Sequence, residues 1–420
     1  MGNELSSTKV PGDVPPQTLE SRTLAGLASY IKSRGGPSNV STVFLVGAGI
    51  STAAGIPDFR SPETGLYSQL ERLDLPYPEA VFEISFFREK PEAFYALRHE
   101  LDPDRYEPTI SHAFMKLWEE KGGLRKVFTQ NIDTLERKAG ISPSKIVEAH
   151  GSFASQRCID CKTPMEDIEF KKVVDQQGIP HCLTPNCNGL VKPDIVFFGE
   201  ALPSSFFDEL GAVGEADLAI IMGTSLSVHP FAGLPTSVQE EKPRVLINME
   251  EVGDIGSRRD DVLVLGDCDT GCKKFAKELG WLEELEDLWF SLVSEKTKQK
   301  YLERKEQDRK DAEQRERILG DHKIAFYDDD EDVGHVKTRE EVDNDVRDEV
   351  EKMVHDVEEA LNKVERLKKR VDDEGLGKSE TDKQVDALTE EVKKVEIKDD
   401  EDKKAEEKKV EAVVGSVPSL

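Results

Sequence analysis

Four cysteines are spaced for chemistry. Cys158 and Cys161 are separated by two residues, Cys182 and Cys187 by four, and the two pairs by twenty. Two close thiolate pairs on two turns suit a tetrahedral zinc ion, and four thiolates leave no position open for water. The site is therefore expected to be structural, holding a small module at about 151–192. His181 adjoins Cys182 and is the competing ligand, although four cysteines already complete the shell. Cys268 and Cys272 fall outside the pattern and are expected to stay reduced.

A second constellation opens on Thr42–Val46 (TVFLV), a continuous apolar run suited to a buried parallel strand. Gly47, Ala48, Gly49, Ile50 and Ser51 follow. Gly47 and Gly49 allow a sharp turn and close approach to a ligand. A helix starting at Ser51-Thr52-Ala53-Ala54 would point its amides at the same ligand, making a diphosphate cradle. The pattern departs from the common dinucleotide fingerprint. Gly55 comes too late to be its third glycine, and no ribose-reading acid follows a second strand. A hydride-transferring dehydrogenase is thereby disfavoured.

The elements that must position these residues are read from further apolar runs: 126–130, 145–150, 194–198, 217–223, 244–248 and 261–266. Helical segments such as 111–122 and 206–216 separate several of them. The alternation predicts an α/β fold with a doubly wound parallel sheet and helices on both faces. Ligands of such sheets bind at the carboxyl ends of the strands. The polar groups collect at those ends: Gly47–Ser51, Gln130–Asp133, His150-Gly151, Phe197–Glu200, Gly223–Ser225 and Asn248–Glu250. One shared cleft is expected.

The chain has 420 residues, of which 37% are hydrophobic and 34% charged, and its formal charge is −28. That charge argues against nonspecific binding to nucleic acid or anionic lipid. No apolar run reaches the length of a membrane span. Residues 1–19 lack an apolar signal core, so an intracellular protein with thiol or metal-bound cysteines is expected. Residues 321–420 hold 33 acids and 19 bases, half of the net charge. Such a segment buries too little apolar surface to offset its chain entropy.

The expected organisation is a flexible arm at 1–21, one catalytic domain at 22–290, a charged helix at 291–320 and an acidic, helical or disordered tail at 321–420. The run 328–332 is expected to break the helix by like-charge repulsion. Val346, Val350, Met353, Val357, Ala360, Val364, Leu367 and Val371 form a heptad stripe, a coiled coil at about 342–372 or a solvated single helix.

Together the motifs resemble the sirtuin family of NAD-dependent protein deacylases, particularly its class I cytosolic members. The residues carrying the resemblance are 47–67, 129–133, His150-Gly151, the two cysteine pairs, 192–200, 222–234 and 246–250. They span roughly 22–290. The resemblance implies a Rossmann-like NAD domain with a smaller module, in which helices inserted at about 65–105 join a zinc ribbon. It implies cleavage of NAD at the nicotinamide bond and transfer of the lysine acetyl group to ADP-ribose. The acyl oxygen is a poor nucleophile, so positioning must supply much of the rate. A base must then deprotonate a ribose hydroxyl, a task suited to a histidine near its ordinary pKa.

His150 is the candidate base. It ends an apolar run, and Gly151 turns the chain away from the ring. Asn131 and Asp133 are placed by the family on ribose and nicotinamide, with Gln130; Asp133 is also a candidate N-cap for 134–138. The resemblance further implies cofactor contacts from Gly47, Ala48, Gly49, Ser51, Ile56, Asp58, Phe59, Arg60, Thr224 and Glu250. Phe59 would shield the reactive carbon from water. Gly223, Ser225 and Asn248 would lie near the adenosine, with Cys268 contributing backbone. Val196, Phe197, Phe198, Gly199 and Glu200 are read as an exposed strand edge to which a substrate peptide adds, its lysine passing Val196, Phe197 and Phe59. Glu200 and the net charge are expected to favour basic peptides such as histone tails, alongside cytosolic acetyl-proteins.

Two competing functions remain open: a mono-ADP-ribosyltransferase on the same scaffold, and a noncatalytic zinc- and NAD-binding scaffold. Residues 1–6 satisfy the myristoylation pattern with Gly2 as acceptor, which alone gives marginal membrane contact. The Leu279, Leu282, Leu285 and Leu288 spacing reads as helix packing or as a nuclear export signal. A cytoplasmic location with shuttling to the nucleus and self-association through the tail complete the expectations.

Overall fold

The computed structural model describes residues 9–11, 13–56, 75–98 and 102–324, with side chains as far as 311. The chain divides into two units, Met1–Arg315 and Glu316–Leu420. Of the second, only the last turns of a helix are described. The heptad stripe, the acidic run at 328–332 and Gly2 lie outside the described residues.

Eight strands and eleven α-helices follow one another in the described residues. They begin with α1 (Leu24–Ser33), β1 (Thr42–Val46), α2 (Ile84–Glu89), α3 (Pro91–Arg98), α4 (Ile110–Glu120), β2 (Leu124–Thr129), α5 (Leu135–Lys138) and β3 (Ile146–Glu148). Next come β4 (Gly151–Cys158), α6 (Asp167–Val174), β5 (Val191–Ile195), α7 (Ser204–Asp208), α8 (Gly211–Gly214) and β6 (Leu218–Met222). The series closes with β7 (Arg244–Asn248), β8 (Asp261–Leu265), α9 (Cys268–Leu279), α10 (Leu282–Leu292) and α11 (Glu295–Ile324).

Six strands form one sheet in the order β3-β2-β1-β6-β7-β8, every neighbouring pair parallel. Every residue of β1, β6 and β7 is buried. Their side chains alternate between two cores, as the period of a strand requires. Phe44, Val46, Ile220, Met222, Val245 and Ile247 face α1, α4, α9 and α10. Val43, Leu45, Ala219, Ile221 and Leu246 face Phe206, Val213, Phe231 and Leu234. This is the expected doubly wound α/β architecture. Strand order reverses between β1 and β6, so their carboxyl ends frame a switch-point crevice.

The smaller module packs α2, α3 and α6 on the antiparallel pair β4-β5. Phe82, Phe87, Phe94 and Phe197 meet edge to face at centroid distances of 5.2–6.3 Å. Such pairs contribute about 1 kcal/mol each beyond area burial.

Three local expectations are corrected. No α-helix starts at Ser51. Short 3₁₀ turns, Ala48–Ile50 and Thr52–Ala54, end at Gly55 with φ +90°. The strand expected at 194–198 lies three residues upstream, at β5, where it pairs with β4. The charged helix expected at 291–320 begins at Glu295, as α11, after a break from α10 at Val293-Ser294. Leu279 and Leu285 are buried and Leu288 packs on the same core, so three of the four spaced leucines serve helix packing, and Leu282 is half-buried.

At the other end of the domain, residues 17–19 are held against the sheet unit. The Asp260 carboxylate accepts from the amides of Gln17, Thr18 and Leu19 at 2.8–3.1 Å.

Candidate active site and metal centre

The crevice at the β1/β6 switch point is built from backbone in very close approach. Gly49 N donates to Gly223 O at 2.8 Å, and Gly47 N to Met222 O at 3.1 Å. A Cβ on Gly49 would lie 2.7 Å from Gly223 Cα, and one on Gly47 2.8 Å from Gly223 O. The glycines are thus required first by the contact between two strand ends.

The end of β2 supplies the polar wall. Asn131, 5% exposed, donates through Nδ2 to Gly47 O and Ser51 Oγ, both at 3.2 Å. Ser51 Oγ donates to Asp133 Oδ2 at 2.7 Å. Asp133 Oδ1 accepts from Leu135 N at 2.9 Å, so Asp133 also caps α5, one residue before the N-cap Thr134. Burial raises its pKa against the Leu135 and Ser51 hydrogen bonds and Lys138, which pull it down. Gln130 Oε1 accepts from Thr224 Oγ1 at 2.7 Å and ties β2 to β6.

His150 lies just past β3, the strand beside β2. Its Nδ1 is 3.0 Å from the Gln130 carbonyl oxygen. A carbonyl only accepts, so Nδ1 carries the proton and Nε2 keeps a lone pair. Burial lowers the pKa of the ring, opposed by that same hydrogen bond. Gly151 follows with φ +68°, and a Cβ there would overlap the Asp194 carbonyl oxygen. Glycine alone fits that corner. Val196 N donates to His150 O at 2.8 Å, joining the histidine to the 196–200 loop.

The cysteines converge at the far end of β4. Cys158 and Cys187 sulfurs are 3.6 Å apart, those of Cys161 and Cys182 3.5 Å, and all four lie within 4.8 Å of one another. Amides of Asp160 and Thr184 point at Cys158 and Cys182 sulfurs, each at 3.4 Å. Four converging thiols fit a closed structural zinc site. His181 is outside the cluster; its Nδ1 lies 3.1 Å from Asn188 O.

The Sir2 family model matches residues 47–230. The chain is 57% identical over 289 residues to the NAD-dependent protein deacetylase hst2-1 of Emericella nidulans, covering 69% of this chain and 78% of that one. It is 52% identical over 245 residues to hst2 of Schizosaccharomyces pombe, covering 58% and 73%. It is 46% identical over 298 residues to sirtuin-2 of Danio rerio, covering 66% and 76%. The chain belongs to the Sir2 family.

Sirtuins use NAD as cosubstrate, and the crevice fits it. Buried Asn131 and Ser51 and half-buried Asp133 form one hydrogen-bonded group beside the switch point that a dinucleotide would occupy. Other residues read as cofactor contacts are less closely gathered. Asn248 is buried and donates to Glu250 O at 2.8 Å, whereas the Glu250 and Ser225 side chains are exposed. Cys268 Sγ contacts Ile247 O at 3.5 Å, and burial pushes its thiol up to about 12. Ala48 and Ile56 are half-buried beside the turn. Asp58, Phe59 and Arg60 lie outside the described residues.

In this sirtuin the 196–200 segment is no free strand edge, a further correction. Phe198 N donates to Phe82 O at 2.8 Å, and Phe198 O accepts from Ile84 N at 3.2 Å. The small module therefore already occupies part of that edge. Phe197 is 1% exposed and belongs to the aromatic cluster, whereas Phe198 is 51% exposed. Glu200 Oε2 is bonded to Phe197 N at 3.0 Å and Lys192 Nζ at 2.9 Å, so its charge is already paired.

Sequence reasoning missed the layer behind the polar wall. His112 and Glu136, 0% and 2% exposed, lie with Asp133 in one cluster spanning less than 4.8 Å. His112 Nδ1 accepts from Thr109 N at 3.2 Å. Burial lowers the pKa of His112 to about 3, while burial and Asp133 raise that of Glu136. The signal available was the Thr109-x-x-His112 spacing, a capping box with histidine in place of Glu or Gln.

Proposed function

We infer that this sirtuin is an NAD-dependent protein-lysine deacetylase with His150 as its general base. The observation that carries the role is the Nδ1 bond to Gln130 O. It leaves Nε2 as the acceptor, at the end of β3 and beside the end of β2, whose Asn131 bonds the glycine turn. When bound, NAD supplies a sugar carbon made reactive by departure of nicotinamide. Gly47–Ser51 would hold its diphosphate; Asn131, Asp133 and Gln130 would hold ribose and nicotinamide. Gly223, Thr224, Ser225, Asn248, Glu250 and Cys268 would line the adenosine end. His150 Nε2 would take a proton from a ribose hydroxyl, and its lowered pKa keeps it neutral for that task at pH 7. Val196–Glu200 would receive the substrate chain, presenting exposed Phe198 rather than a free carboxylate.

Acetylated histone tails and cytosolic acetyl-proteins are the proposed substrates, with the enzyme cytoplasmic and shuttling to the nucleus. Self-association through the tail and a myristoylated Gly2 remain proposals resting on the heptad spacing and the N-terminal pattern.

Incubation with NAD and an acetylated peptide, following nicotinamide and product masses, tests the activity. One acetyl group lost per nicotinamide released is expected. ADP-ribose attached to protein would point to a mono-ADP-ribosyltransferase, and absence of nicotinamide to a noncatalytic scaffold.

A further inference from the structure

Lys192 sits inside β5 and is 5% exposed. Its ammonium donates to Ile195 O at 2.6 Å and Pro193 O at 3.2 Å. It meets Glu200 Oε2 at 2.9 Å and lies 4.6 Å from the centre of the Phe197 ring. Glu200 Oε2 accepts from Phe197 N at 3.0 Å as well. One buried cation thus bonds the main chain before the 196–200 loop, the ring within it and the carboxylate that ends it.

Stability is a poor explanation for this arrangement. An ammonium taken out of water costs several kcal/mol before pairing, and a buried ion pair often returns no more than an apolar pair of similar volume. Its effect is geometric. The pair fixes where the loop turns, between the Val196–His150 bond and the Phe198 pairing with residues 82–84. Aromatic packing alone would hold Phe197 but not the Glu200 end.

We propose that Lys192 is a positioning residue which, through Glu200 and the carbonyls of Pro193 and Ile195, sets the course of 196–200 as the receiving surface for the substrate chain. The proposal rests on the reading of 196–200 as the peptide site. A misplacement of about 1 Å at a receiving surface can cost up to about a hundredfold in rate. Because the residues proposed to hold NAD lie at the ends of β1, β2, β6 and β7 and at the start of α9, outside β5 and 196–200, the loss should fall on the peptide and spare NAD.

The test is steady-state kinetics on the full chain with separate titrations of acetylated peptide and NAD, for wild type, Lys192→Met, Lys192→Arg and Glu200→Gln. Lys192→Met and Glu200→Gln should each raise the peptide KM about tenfold, with the NAD KM within about twofold. Lys192→Arg, which keeps the charge, should stay within about threefold of wild type. A wild-type peptide KM in Lys192→Met overturns the proposal, as does an equal rise in both KM values or an arginine no better than methionine. Should Lys192→Met fail to fold, Glu200→Gln at the less buried partner carries the same expectation. A wild-type chain that does not deacetylate at all would instead remove the functional reading beneath the proposal.

Discussion

The parallel sheet and the small module solve the same problem of burial by different means. In the sheet, β1, β6 and β7 are buried throughout, and apolar side chains fill a core on each face. In the module, β4 is buried at only half its positions. A single core of phenylalanines is supplemented by four converging thiols. A strand pair with so little apolar surface is marginal alone, so a zinc ion at those thiols would add order to the module, as does its seam with the sheet. That seam is His150-Gly151. His150, the proposed base, therefore depends on both regions, although it belongs to the end of the sheet.

The sharpest way to break this contrast is at the seam. Gly151→Ala puts a side chain at φ +68° and against the Asp194 carbonyl. A loss of about 3 kcal/mol in stability is expected, with deacetylation abolished; calorimetry and the activity assay check both. An unchanged melting temperature would mean that the two regions are not locked there.

Removing the metal should separate the regions. Chelation is expected to expose the amides of β4 and β5 to hydrogen exchange while β1, β6 and β7 stay protected, because only the module's folding energy is coupled to the ion. Activity should fall more than about tenfold. Equal loss of protection in both regions would erase the distinction.

The smallest effects are in pH. Burial holds His150 below the ordinary histidine pKa. The acid limb of kcat/KM, as His150 protonates, should therefore have its midpoint below about 6.5. His112 titrates at about 3 when folded and at about 6.5 when unfolded. The unfolded chain then binds the proton first, and stability falls as pH drops through that window. Denaturant midpoints of wild type and His112→Gln at matched pH isolate this slope. The raised pKa of Glu136 acts oppositely, stabilising at low pH and losing that stability as pH rises.

Much of the sheet was legible because its chemistry is uniform. The runs at 42–46 and 244–248 coincide with β1 and β7 to the residue. β4 was not legible, since Gly-Ser-Phe-Ala-Ser-Gln-Arg-Cys lacks an apolar period and is ordered by pairing with β5. β5 was displaced in the reading because Lys192 and Pro193 suggest a turn. The lysine is a strand residue through its pairing with Arg157 of β4, and its ammonium is satisfied by the Pro193 and Ile195 carbonyls and by Glu200. The cysteine cluster was legible from spacing alone. At the crevice, residue types at strand ends pointed to Asn131, Asp133 and His150. The Gly49–Gly223 contact, the edge already used by Phe198 and the buried His112–Glu136 layer are tertiary and leave little local trace.

The most direct test of His150 as the base is the rate of His150→Ala in the coupled nicotinamide and peptide-mass assay, alongside its melting temperature and zinc content. A fall of about 10²- to 10⁴-fold in deacetylation with folding and metal unchanged is expected. A variant that folds, keeps its zinc and deacetylates within about threefold of wild type would contradict it.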